Sequence, residues 1–138
     1  MIKQWSWVIF LLLGLLILVF AWYNAFLIPS LDPADPDMGW EWLTTDLEII
    51  DYIKFNFRAQ GMWIFAYGLL VIAAAVGGFR QGERWAWLGL CSVPLVLCLM
   101  LLMMPWTLPV LILPLMLAIV ALVLARNHLF RATKSEPI

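Results

Sequence analysis

The sequence predicts an all-α fold, a membrane-embedded antiparallel four-helix bundle with an extracytoplasmic amphipathic helix. Three observations predict it. First, 65% of the 138 residues are hydrophobic and only 12% are charged, whereas a soluble domain is about half apolar and a quarter charged. Second, the chain holds four apolar stretches close to the roughly 20 residues that cross a bilayer as a helix. Third, Lys and Arg alternate with Asp and Glu between those stretches. The length leaves room for one domain, and the net charge of -1 argues against a nucleic-acid partner.

The first stretch, 5–27, follows Met1-Ile2-Lys3 and ends at Pro29 and Ser30. Its start resembles a signal peptide, but the apolar run is too long for one and no small-x-small site follows, so an uncleaved first span is expected. The second stretch, 59–79, is expected to close at Gly77-Gly78 and the polar turn Arg80-Gln81-Gly82-Glu83-Arg84. The third covers 85–104. Pro105 to Pro109 makes a tight turn, and 108–125 forms a shorter fourth span. Read as one, the last two would give about twice the length a bilayer needs, so they are two helices. Pro94 and Pro114 fall inside them and should kink each helix, because proline lacks an N–H.

Orientation follows from the basic residues. Lys3, the pair Arg80 and Arg84, and the group Arg126, Arg131 and Lys134 fall in segments that share one side. That side is expected to be the cytoplasm of a bacterial inner membrane, with both chain ends in it. The opposite loop, 29–58, carries Asp32, Asp35, Asp37, Glu41, Asp46, Glu48 and Asp51, seven of the nine acidic residues. Tryptophans support the same levels: Trp5, Trp7, Trp85 and Trp87 at the inner one, Trp22, Trp63 and Trp106 at the outer one, and Trp40 and Trp42 in the loop. Amphipathic rings favour the headgroup region.

The outer loop opens with Asp32-Pro33-Ala34-Asp35-Pro36, which reads as extended or turn-forming, since a residue before proline leaves the α region. Thr45-Asp46-Leu47-Glu48 matches a capping box, with the Thr45 hydroxyl and the Glu48 carboxylate satisfying each other's amides. Leu43, Leu47, Ile50, Ile53 and Phe57 then recur on one helical face, and Asp51, Lys54 and Arg58 on a neighbouring one. This predicts an outer amphipathic helix feeding into the second span. Within the spans, Gly14, Ala21 and Ala25, then Gly61 and Gly68, then Ala118, Ala121 and Ala125 place small residues along single faces. Such faces let helix backbones approach closely in lipid.

Chemistry-bearing groups are sparse. The apolar stretches lack the ionisable residues of ion pathways and proton relays, which argues against a coupled transporter. No zinc-protease, serine-hydrolase or phosphate-loop signature occurs, so no enzyme activity and no cofactor are expected. Cys91 and Cys98 stand about 10 Å apart along a helix, too far for a mutual disulfide. Cys98 with Met100, Met103 and Met104 reads as apolar packing rather than a soft-metal site. The run Asp32, Asp35, Asp37 and Glu41 lacks calcium-loop spacing and reads as a solvated face. His128 reads as an interfacial residue beside Arg126 and Arg131. The most promising polar set is Asn24, Asn56, Arg58 and Gln60, all expected at the outer boundary, where they are candidates for a ligand headgroup.

At Asn56-Phe57-Arg58-Ala59-Gln60-Gly61, followed by a span containing Gly68, the chain resembles the DoxX-like group of small bacterial four-span membrane proteins. The likeness extends to the first span, the outer loop, the short basic inner turn and the two closing spans. It implies an architecture more than a reaction, because some members are linked to quinone-coupled sulfur oxidation and others to no activity. The small-residue packing faces, the acidic outer loop and the absence of a catalytic set make a non-enzymatic accessory or scaffold protein the expected function. Its partners would be the lipid bilayer and a membrane protein docked on the acidic outer loop. The alternative is a binder of an apolar lipid or quinone within the helix bundle.

Overall fold

The computed structural model describes residues 6–31 and 45–129, and it is all-helical, with no strand among the described residues. Four helices are long and apolar enough to cross a membrane: α1 (Ser6–Ser30), α2 (Leu47–Phe79), α3 (Arg84–Met103) and α4 (Leu108–Leu129). The loop acids from Asp32 to Glu41, with Lys3, Trp5, Trp40, Trp42, Leu43, Arg131 and Lys134, lie outside the described residues, as do the side chains of Trp106 and His128.

Helix α1 ends at Ser30, at the predicted Pro29-Ser30 stop, three residues beyond the apolar stretch. Its α-helical part, Ser6–Trp22, widens into a π turn at Tyr23–Leu27 and closes with Ile28–Ser30. The wide turn stands just before Pro29, whose ring would collide with the Ala25 carbonyl of a regular helix. Widening moves that carbonyl away, so the proline is accommodated in the last turn and the helix ends at Ser30. The Ser30 hydroxyl then donates to the Leu27 carbonyl at 2.7 Å and closes the last turn.

Helix α2 joins the amphipathic stretch and the apolar stretch without a break, since Leu47–Ala73 is one α-helix. The capping box is not the one expected. The helix begins at Leu47, so the N-cap is Asp46, whose Oδ1 accepts from the Glu48 N–H at 2.9 Å. The sequence offers two capping residues in a row, and the one carrying a negative charge stands where the helix dipole favours it.

The far end of α2 is a second π segment, Ala74–Phe79. It ends at Phe79, the predicted end, with Gly77 and Gly78 still helical and the chain turning at Gly82. Gly82 has φ 82°, the left-handed region that favours glycine. Its N–H donates to Phe79 O and the next N–H, of Glu83, donates to Gly78 O, both within 3.1 Å. These two bonds satisfy helix-end carbonyls and define a Schellman ending.

Proline acts differently in the last two helices. Helix α3 is interrupted at Cys91, between Arg84–Leu90 and Ser92–Met103, three residues before Pro94. Helix α4 contains Pro114 yet continues unbroken. A proline removes one backbone bond, and a helix can continue past that loss. Between them, Pro105–Thr107 forms a single 3₁₀ turn in which the Thr107 hydroxyl donates to Met104 O at 2.7 Å.

Burial follows the small-residue faces read from the sequence. Gly14, Ala21, Ala25, Gly61, Gly68, Ala118, Ala121 and Ala125 are all buried. On α2 the buried positions Gly61, Gly68, Val71, Ala75 and Gly78 are spaced in steps of three, four or seven, the period of one helical face.

The packing forms two units. One comprises Met1–Leu15 with Leu70–Ile138; the other is Leu16–Leu69. In the first, Phe10 meets Phe79 edge-on at 5.5 Å. There too the Trp87 indole N–H donates to the Leu122 carbonyl at 3.1 Å, tying α3 to α4. A Cβ at Gly78 would stand 2.5 Å from the Ala86 Cβ. In the second unit, a Cβ at Gly61 would stand 2.6 Å from both the Cβ and the backbone nitrogen of Ala25. Each unit therefore has a helix crossing that only glycine permits.

Candidate functional site

The four residues expected to meet a ligand all belong to the unit Leu16–Leu69. Asn24 sits in the π turn of α1 and is 4% exposed. Its amide nitrogen donates to the Phe20 carbonyl at 2.9 Å, one turn back on its own helix. That bond offsets the cost of burying an amide among apolar side chains. Asn56 is exposed and repeats the pattern, its amide nitrogen donating to Tyr52 O at 3.0 Å. Both amide nitrogens thus serve their own backbone.

Arg58 and Gln60 are exposed on α2. At 3.6 residues per turn, Asn56 and Gln60 share a face and Arg58 is rotated from each by about 200°. The three residues therefore do not converge from one face of the helix. Helical residues two apart point to nearly opposite sides. Gly61 is three positions beyond Arg58, so Arg58 stands near the side of α2 that packs on Ala21 and Ala25, beside a tight crossing.

Among the described residues no group of three or more His, Cys, Asp or Glu is placed to hold a metal. Cys91 and Cys98 are free thiols. Met103 is 80% exposed, on the outer surface of the chain.

Two polar features went unread in the sequence. Ser6 is 3% exposed and its hydroxyl has no hydrogen-bond partner. Nothing in an apolar run with one serine signals that burial. The other lies where α1 begins and α2 ends: the Arg80 guanidinium carbon stands 5.2 Å from the centre of the Trp7 ring. Sequence levels placed both residues at one boundary, but not against each other.

Comparison with known proteins adds no relative: no family model matches the chain, and no curated protein or solved structure is significantly similar to it.

Proposed function

We propose that the chain is an integral membrane protein crossing a bacterial inner membrane four times, with both ends cytoplasmic, and that it acts as a non-enzymatic accessory or scaffold protein. One observation carries this reading. Only 17–28% of the most apolar stretch of each long helix is buried within the chain. The rest presents side chains such as Leu12, Trp63, Leu102 and Val110, each at least 60% exposed. So much apolar surface requires lipid or other apolar helices against it. The small-residue crossings support an antiparallel bundle, and the resemblance to the DoxX-like group supports the four-span plan.

The accessory role draws on how the polar groups are spent. Asn24, Asn56, Ser30 and Thr107 all bond to nearby backbone carbonyls, which are structural tasks. The acidic outer loop is the surface with which a partner would engage. Native mass spectrometry of the chain, extracted gently from its own membranes, tests this. A second protein at fixed stoichiometry is expected, lost on deletion of residues 32–42. A lone chain, or a partner unaffected by the deletion, would contradict the role.

A second reading, an apolar lipid or quinone held between the helices, is favoured by the interruption of α3 at Cys91. A small adduct on a lone chain, absent from an Arg58→Ala variant, would favour it instead.

A further inference from the structure

We propose that the basic end of the unit containing Trp7, Arg80, Arg84 and Arg126 binds the phosphate of an anionic membrane phospholipid. The inference rests on the reading of the chain as a membrane protein and adds a specific ligand class to it. The site is distinct from the set around Arg58.

Arg80 lies just past the last π turn of α2 and is exposed, with its guanidinium carbon over the Trp7 ring at 5.2 Å. A cation over an aromatic face is held in place without using its hydrogen bonds. The N–H groups lie in the guanidinium plane, a fork that matches two oxygens of a phosphate. Trp7 therefore positions Arg80 while leaving its donors to a ligand.

Two more arginines belong to the same end. The Trp87 indole bonds to the Leu122 carbonyl, which fixes α3 and α4 in register. Arg84 precedes Trp87 by three residues and Arg126 follows Leu122 by four. Each is thus about one helical turn beyond that contact, and because the chain turns back at Pro105–Thr107 both lie toward the same end. Gly78 packs on Ala86 and Trp85, which brings the end of α2 to the start of α3. Three arginines are gathered there against one described acid, Glu83. The aromatic ring beneath Arg80 suits a depth between acyl chains and water, where a phospholipid carries its phosphate.

The chemistry recognised is a phosphate ester, and its source is the lipid. The full chain, purified in detergent, is titrated with phosphatidylglycerol and with phosphatidylcholine of the same acyl chains, and bound lipid is read by native mass spectrometry. The wild type is expected to retain the anionic lipid preferentially. Arg80→Gln and Arg126→Gln are each expected to weaken that retention about fivefold, the worth of one basic side chain near an anionic surface. Lys54→Gln, in the other unit, leaves it unchanged. Equal retention of the two lipids by the wild type, or undiminished retention by both arginine variants, overturns the proposal. Loss of the lipid to excess inorganic phosphate overturns the lipid assignment in favour of a free-anion site. Alkaline extraction of membranes separates the two readings. A wild-type chain released by alkali defeats the membrane reading and this site with it; a retained chain without lipid preference defeats this site alone.

Discussion

Gly61→Leu is expected to lower the melting temperature of the detergent-solubilised chain by about 10 °C, the consequence of roughly 3 kcal/mol of overpacking in a chain of this size. Even the first added atom is too many. A Cβ at position 61 would stand 2.6 Å from the Ala25 Cβ, 2.6 Å from the Ala25 nitrogen and 2.8 Å from the Ala21 carbonyl oxygen. Two of these three are backbone atoms and cannot rotate away. Helices α1 and α2 must then separate, and the close contact that holds helices together in lipid is lost along the crossing. Gly89→Ala provides the control, because a Cβ there meets nothing within 4 Å. Replacing an exposed helical glycine removes an entropic cost, so this variant is expected to melt at or slightly above the wild type. Thermal unfolding followed by circular dichroism checks both; equal melting of wild type and Gly61→Leu would mean that the crossing is not close.

Gly78→Leu is the second large loss expected, of similar size but different character. The new Cβ would stand 2.5 Å from the Ala86 Cβ and 2.6 Å from Trp85 Cζ2. The indole can swing outward, being already exposed. Ala86 cannot, because its Cβ is fixed to its backbone. A shift of α2 relieves the clash only by moving the Gly78 carbonyl, which accepts from both Gln81 and Glu83 in closing the turn. Overpacking and a loosened turn therefore arrive together. Gly77→Ala, one residue away and open on all sides, should be tolerated. If the two variants melt alike, the contact of Gly78 with α3 carries no stability.

Much of this was legible in the sequence, and the reason is physical. In a chain with few polar groups, apolar length sets the helices, and the eight small residues read as packing faces are all buried. What the sequence concealed was register. Thr45 and Asp46 both suit a cap, and only the position of the first turn selects Asp46. Gly77, Gly78 and Gly82 all read as helix enders, yet two are helical and one has the positive φ. Asn56, Arg58 and Gln60 looked like a cluster because they are close in sequence, whereas the helix turns Arg58 away from the other two. The Arg80–Trp7 and Trp87–Leu122 contacts join residues far apart along the chain, which no local pattern specifies.

The proposed topology puts four helices across the membrane, with the turn between α2 and α3 on the side opposite the other two connections. Single-cysteine labelling tests it most directly. With Cys91 and Cys98 replaced by alanine, Ser30→Cys, Gln81→Cys and Met104→Cys are introduced one at a time. Each is then exposed to a membrane-impermeant maleimide in intact cells. All three positions are exposed in the fold. Positions 30 and 104 are expected to label from outside, and position 81 only after the membrane is opened. Labelling of position 81 from the same side as the other two would contradict it.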